Sequence, residues 1–514
     1  MSLKLNILSN YTSQMYVTGL SILILPLYIK HMGAEAYGLV GFFTMLQAWF
    51  ALLDLGLTPT IARETARYHG GSMSALAYSQ LFRALSLIFC GIAVVGGGGL
   101  WLLSEIIATH WLNVTELPLR DVVLAVQIMA VSVALRWMGG LYRGVVTGSE
   151  RLIWLSGFNA LIATLRFIAV FASMNFFGFT PIVFFTHQMI VALVEIFGLF
   201  LMTRILLPAS NSLEQAIGWS FQPVQPLLKF ALTIAFTSSV WILATQTDKL
   251  ILSGILRLAE YGYFSLAVLV ASGVVVVSGP ISNAIMPRMA RLHAEGKHEE
   301  LIMVYRKATQ LVSTIGVSAA ITLVSCAKPL LFAWTGDMEL AVKAAPVVRL
   351  YAMGNAFLIV AAFSFYLQYA KGNLRYHLIG NAGMAIALIP TITFAAIHYG
   401  TNGAGYVWLI MNALFLLCWV AYTHHKLEPN LHLTWISDII KIVIPAMLSC
   451  AITVCIIFEP TTRIQSIFFV AVVAISTLAG AVFFFTLGRV LIMIGFVKPK
   501  NTTNKSLNNS QHNY

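Results

Sequence analysis

The sequence predicts an all-α integral membrane protein with about fourteen transmembrane helices, twelve of them forming two parallel six-helix repeats. Three observations carry that expectation. Of the 514 residues, 59% are apolar and only 10% charged, with a mean hydropathy of +0.84. A soluble domain carries roughly a quarter charged residues and could not bury so much apolar surface. The apolar residues fall into runs of about 20, the length a helix needs to cross a hydrocarbon core. Short motifs then recur at one fixed spacing along the chain. Together these exclude an ordinary cytosolic enzyme, a secreted disulfide scaffold and a disordered protein.

The runs lie at about 5–29, 36–57, 80–104, 121–146, 154–178, 181–206, 226–252, 258–287, 301–327, 344–370, 377–399, 401–424, 438–459 and 464–496. Lys4 precedes the first, and no small-residue cleavage site follows it, so it reads as a retained helix and not a signal peptide. The third contains Gly96–Gly99, which allows close helix approach or a flexible segment. The fourth, fifth and sixth carry Arg136, Arg166 and Glu195. Residues 207–225, with Pro208, Pro223 and a polar run, read as a cytoplasmic linker. The seventh ends in Asp248-Lys249. The resulting organisation is a half over 1–206, the linker, a half over 226–425, two extra helices over 426–497 and a disordered tail over 498–514. Pro26, Pro280, Pro390 and Pro445 fall inside spans and are candidate bends.

The repeat is read from four places. Tyr37-Gly38 returns as Tyr261-Gly262, and Ala66-Arg67-Tyr68-His69 as Ala290-Arg291-Leu292-His293. Arg83 is matched by Lys307, and Gly148 and Arg151 by Gly372 and Arg375. Each pair is 224 residues apart. Six helices is an even number, so the two copies cross the membrane in the same direction.

The net charge of +12 would suggest nucleic acid in a soluble protein; here it reads as topology. With a cytoplasmic N-terminus, 21 Lys and Arg fall on inner loops and helix ends against 7 outside. Both termini are therefore expected in the cytoplasm. The five cysteines form no CxxC and lie in apolar stretches, so they read as small buried residues. His424-His425 sits at an inner helix end and reads as interfacial. No nucleotide loop, HExxH or GxSxG is present, and the connecting loops are short. A translocator without catalytic residues, metal or cofactor is expected.

Ionisable residues inside spans are expensive and mark function or pairing. Arg166 and Glu195 lie at matching depths on antiparallel neighbours; they form either a structural ion pair or a cavity-lining pair that exchanges a proton. Arg136 has no acid at its own depth. Asp248 and Lys249 point about 100° apart on a helix and need not pair. Asp54 either terminates a helix or faces the interior. A basic set at the inner ends, including Arg63, Arg67, Arg83, Arg143, Arg288, Arg291, Arg306 and Lys307, would serve phosphate recognition or equally topology and anionic-lipid contact.

Gly33-Ala34-Glu35-Ala36-Tyr37-Gly38-Leu39, Asp54-Leu55-Gly56-Leu57, Ala62-Arg63-Glu64-Thr65-Ala66-Arg67, and Thr247-Asp248-Lys249 followed by Glu260-Tyr261-Gly262-Tyr263 resemble the polysaccharide flippase branch of the multidrug/oligosaccharidyl-lipid/polysaccharide exporter superfamily. The similarity covers about residues 5–425 and is closest to the O-antigen (Wzx-type) flippases. The resemblance implies two bundles forming a V around a central cavity, in a bacterial inner membrane. It implies an undecaprenyl-pyrophosphate-linked glycan as substrate, with a polysaccharide polymerase and chain-length protein as partners. On that reading Arg136 and Arg166 hold the pyrophosphate, with the inner basic set, Arg83, Arg143 and Arg306 among it, recruiting it; Lys249, near the outer face, is a further candidate for substrate binding. Glu195, Asp248 and Asp54 are the candidates for H⁺ or Na⁺ coupling. The rival functions are a multidrug exporter or lipid II-type flippase of the same superfamily, a polysaccharide polymerase or ligase, and a non-transporting scaffold.

Overall fold

The computed structural model describes residues 3–208, 224–457 and 460–493. Most of the expected linker, and all of the expected tail with Lys498, Lys500 and Lys505, lie outside the described residues. In chain order the helices are α1 (Leu3–Met32), α2 (Ala34–Phe50), α3 (Leu57–His69), α4 (Ala75–Leu102), α5 (Ser104–Ile106), α6 (Leu119–Gly148), α7 (Leu152–Thr164), α8 (Val170–Phe177) and α9 (Pro181–Leu206). They continue with α10 (Gln225–Ile255), α11 (Leu258–Ala294), α12 (His298–Val312), α13 (Ser318–Thr335), α14 (Met338–Ala370), α15 (Arg375–Leu414), α16 (Ala421–Leu427), α17 (Leu431–Ile456) and α18 (Arg463–Met493). Helices are what apolar sequence in lipid must form, because they satisfy each backbone group within one segment. Their starts are capped locally: Ser74 accepts from the Ala77 amide, Thr180 from Val183 and Asp337 from Leu340. Single π-helical turns interrupt three of the runs, at Leu165–Ala169, Ser313–Val317 and Phe415–Val420, and a fourth, Ile107–Trp111, follows α5.

Among the described residues, twelve helices are long and apolar enough to cross a membrane, short of the fourteen expected. The difference has two sources. The 31-residue α10 is not among the twelve. The stretch Arg375–Leu427 counts as one 53-residue helix, although it bends at Gly400 (φ 57, ψ −140). That conformation needs a residue without Cβ. The expected segments 377–399 and 401–424 lie on either side of the bend, and a straight run would be about 80 Å long, more than twice a hydrocarbon core.

The 224-residue spacing reappears in the helices. Ala34 starts α2 and Leu258 starts α11. These two helices pack directly against each other. A Cβ on Gly38 would lie 2.1 Å from the Leu258 carbonyl oxygen, and one on Gly262 would lie 2.7 Å from that of Ala34. Gly38 and Gly262 are equivalent positions, as are Ala34 and Leu258, so the contact is reciprocal, as across a two-fold axis. Gly41 continues the seam: its Cβ would meet Oγ of Ser265, its own counterpart, at 2.5 Å. One departure is local. The first copy breaks between α2 and α3, where Leu55 and Gly56 are left-handed (φ 46 and 70), whereas α11 runs through the matching region as one helix.

One end of this seam is clamped by the segment between α5 and α6. Glu35, buried in the first turn of α2, accepts from the amides of Thr115 (2.5 Å), Glu116 (2.7 Å) and Leu117 (2.8 Å). Asn113 Nδ2 donates to the carbonyls of Gly254, Ile255 and Leu256 at the end of α10, and the Asn113 carbonyl accepts from the Leu258 amide at 2.9 Å. Trp111 Nε1 donates to Ser253 Oγ at 2.9 Å.

A side chain at Gly38 is expected to force α2 and α11 apart. Gly38→Val should lower the melting temperature in detergent, with overpacking on the order of 3 kcal/mol. Gly98→Ala is the control: nothing lies within 4 Å of its added Cβ, and melting should stay level or rise. A size-exclusion thermal-stability assay on both variants checks this.

Candidate functional site

The site is built on α6 and α9, which pack along each other. Arg136 and Arg143 are seven residues apart on α6, and Gln188 and Glu195 are seven apart on α9. Seven residues is close to two turns, so each pair presents the same face about 10 Å apart along the axis. Arg136 Nη2 donates to Gln188 Oε1 at 2.7 Å, and Arg143 Nη2 to Glu195 Oε1 at 2.6 Å. Both rungs join positions in the same chain order, so the two helices run parallel.

The rungs differ in charge. At the upper one, Arg136 has two amide partners, Gln188 and Gln47 (Nη1 to Oε1, 2.8 Å), and its guanidinium lies 5.0 Å from the Phe43 ring centroid. Among the described residues no carboxylate lies within salt-bridge distance of Arg136, and its Nε is buried without a hydrogen-bond partner. At the lower rung, Glu195 is 8% exposed and takes Arg143 on one oxygen and Arg166 on the other, at 2.8 Å. Arg143 also donates to Asn159 Oδ1 at 2.7 Å. Two guanidinium groups on one carboxylate leave this cluster with one positive charge.

Arg166 owes its position to the π-helical turn Leu165–Ala169. Such a turn frees carbonyls from the helix ladder. Here α9 collects them: His187 Nε2 bonds the Leu165 carbonyl at 2.9 Å and Gln188 Nε2 donates to that of Arg166, also at 2.9 Å. Tyr28 donates to the Phe167 carbonyl at 3.2 Å. Gln188 therefore links both rungs, holding the Arg136 side chain and the Arg166 backbone.

Both rungs border cavities. Arg136 lines one of about 460 Å³ with Gln47, Asp54, Thr58, Trp137 and Ser239. Arg143, Arg166 and Glu195 line another of about 450 Å³ with Asn10, Gln14 and Asn159. The expected pairing of Arg166 with Glu195 is present; Arg143, expected in the inner basic set, joins it. Asp54 accepts from the amide and hydroxyl of Thr58, capping α3 beside the Leu55–Gly56 break. Asp248 and Lys249 lie apart from this cluster, on α10, at a cavity of about 400 Å³. Although sequence neighbours, they pair at 3.2 Å, and Tyr351 donates to the other Asp248 oxygen at 2.6 Å. Arg306 bonds Asp438 at 2.6 Å, tying α12 to α17, and lines none of these three cavities. Arg83 is exposed on α4 and lines none of them either. Gln47, Gln188, Asn159 and Tyr351 were not anticipated. The signal that could have found Gln188 is its offset from Arg136, 52 residues, which equals that of Glu195 from Arg143.

A family profile described as polysaccharide biosynthesis protein matches residues 3–293. The chain belongs to that family. A curated relative of this polysaccharide biosynthesis protein is the uncharacterized membrane protein EpsK of Bacillus subtilis (strain 168), 22% identical over 435 residues that cover 82% of this chain and 83% of EpsK. Among solved structures, the lipid II flippase MurJ in an inward closed conformation superposes with a TM-score of 0.71 at 12% identity, covering 95% of this chain and 99% of that one. An inward-facing multidrug resistance MATE family transporter of the MOP superfamily gives 0.66 at 12% identity, covering 81% and 95%. These likenesses establish the fold: this polysaccharide biosynthesis protein is a multi-pass membrane protein with the architecture of that superfamily.

Removing Glu195 leaves two half-buried guanidinium groups facing one another. Glu195→Ala is expected to destabilise the protein by about 3 kcal/mol, read as a lower melting temperature in detergent. Asp438→Ala, which frees one guanidinium, that of Arg306, and not two, should lose less in the same assay, about 1 kcal/mol.

Proposed function

We propose that this polysaccharide biosynthesis protein is a flippase that moves undecaprenyl-pyrophosphate-linked oligosaccharide from the cytoplasmic to the periplasmic leaflet of a bacterial inner membrane. The observation that carries this reading is Arg136: a guanidinium at a cavity wall, held by two neutral amides, with its charge left for a ligand. A pyrophosphate is the anionic part of such a substrate, and Arg presents paired donors to phosphate oxygens. The positive cluster of Arg143, Arg166 and Glu195 sits two turns away on the same helices and adds to the local field. A cationic drug would be repelled by the Arg136 guanidinium at this cavity wall, where Asp54 is the lining carboxylate among the described residues. Glu195 is matched by two arginines, and Asp248 by Lys249 and Tyr351.

The two 224-residue copies act as the two halves of an alternating-access device, rocking about the α2–α11 seam. Both termini are cytoplasmic, as the excess of inner Lys and Arg requires. Asp54 faces the Arg136 cavity with no basic partner among the described residues and is the carboxylate assigned to H⁺ or Na⁺ coupling.

Deleting the gene in its host is expected to remove surface polysaccharide, with wild type restoring it. Arg136→Gln, expressed normally, should restore about a tenth or less. Gln188→Glu keeps the arginine but gives it a counter-charge, and should fail similarly while membrane levels stay normal. Polysaccharide gel profiles with an immunoblot of the membrane fraction check all three. Unchanged polysaccharide on deletion, in a host with no second flippase, would overturn the proposal.

A further inference from the structure

A fourth cavity, of about 540 Å³, lies in the second copy between α10, α14 and α15. Trp241, Phe365, Tyr366, His377, Asn381 and Trp419 are the residues of its wall that matter here. Among the described residues its lining includes no Lys, Arg, Asp or Glu. We infer that it binds the neutral sugar residues of the transported lipid. This rests on the flippase reading above.

The aromatic rings are set as faces. Trp419 is pressed against α15, where a Cβ on Gly380 would come within 2.0 Å of the indole nitrogen. That nitrogen donates to the Tyr376 carbonyl at 3.1 Å, so the ring brings its flat surface and not its donor to a ligand. Phe365 lies 4.4 Å from the His377 ring, centroid to centroid. Trp241 is 48% exposed, an aromatic surface held open beside the cavity. Its polar groups include Ser278, Ser364, Gln368 and the His377–Asn381 pair, one turn apart on α15, with Asn381 Nδ2 3.0 Å from His377 Nε2. A pyranose fits this combination. Its C–H face is apolar and slightly positive, matching the negative face of an aromatic ring, while its rim of hydroxyls needs donors and acceptors. A prenyl chain has no use for a His–Asn pair.

The repeat sharpens this assignment. Part of this cavity matches the Arg143–Arg166–Glu195 cavity at the 224-residue spacing: Val17 becomes Trp241, Thr18 becomes Ile242 and Glu195 becomes Trp419. The cavity of the first copy carries the charge and this one carries the aromatic rings. The two chemistries of a glycosylated pyrophosphate, anionic and carbohydrate, are thereby divided between the copies. The aromatic cavity also shares Ile242 with the Arg136 cavity, so a headgroup anchored at Arg136 has its sugars adjacent across α10.

The test compares two probes on purified full-length protein in nanodiscs: undecaprenyl pyrophosphate carrying the repeat unit, extracted from cells lacking this gene, and bare undecaprenyl pyrophosphate. Wild type should bind the glycosylated lipid about tenfold more tightly. Asn381→Ala and Trp241→Ala should each erase that difference while holding the bare lipid with wild-type affinity, which also shows that they fold. Arg136→Gln should weaken both probes alike. Equal binding of both probes by wild type, or a preference that survives Asn381→Ala and Trp241→Ala, would overturn the sugar site and leave the flippase reading standing. Binding of neither probe by wild type would overturn both. Loss of tetraphenylphosphonium binding in the Trp241 and Asn381 variants, with glycan preference intact, would assign the cavity to cations and overturn the sugar site.

Discussion

Gly38 and Gly262 let α2 and α11 approach until side chains are excluded and each helix meets the other's backbone. Without a hydrophobic driving force between helices in lipid, such close contact is what holds spans together. The other helices are placed from this seam. α11 carries α14, which in turn packs against α13 and α15, while α2 lies beside α6, which carries α4 and α9. The segment at 107–117 locks one end of the seam through Glu35 and Asn113. That leaves the Arg136 cavity bounded by α2, α6 and α10, helices drawn from both copies.

Around this seam the protein distributes charge unequally between matching places. A carboxylate at Glu195 satisfies two arginines and fixes α6, α7 and α9 to one another. An amide at Gln188, two turns away, holds a third arginine without neutralising it. The same geometry thus gives a structural tie at one rung and an uncompensated charge at the other. The difference of one side-chain group, amide for acid, decides which rung has attraction left for an anion. In the second copy the matching region has lost its charges and gained tryptophans.

Much of the fold was legible because lipid leaves few options. Runs such as 181–206 could only be helices, and α9 spans Pro181–Leu206. The repeat spacing was readable because Tyr37-Gly38 and Tyr261-Gly262 are kept for a steric reason, the reciprocal glycine contact. The break at Leu55–Gly56 was less legible, since a glycine within an apolar run reads equally well as helix, whereas the bend at Gly400 falls between the expected segments 377–399 and 401–424. The count of fourteen spans differs from the twelve helices found among the described residues because α10 is not among the twelve and Arg375–Leu427 counts as one. The pairing of Arg166 with Glu195 was readable from matched depth, whereas that of Asp248 with its own neighbour Lys249 was not, because it depends on how a flexible lysine folds back.

The sequence by itself determined that this chain crosses a membrane many times, that a 224-residue unit recurs, and which few charged residues lie within spans. Those properties follow from composition and period, which burial in hydrocarbon enforces residue by residue. Only the tertiary structure decided what each charge is for. Arg143 left the expected basic rim for Glu195, Arg306 went to Asp438, and Arg136 was left to two glutamines. Partnership within a membrane depends on angstrom-scale geometry between helices remote in sequence, and hydrophobic periodicity carries no record of it.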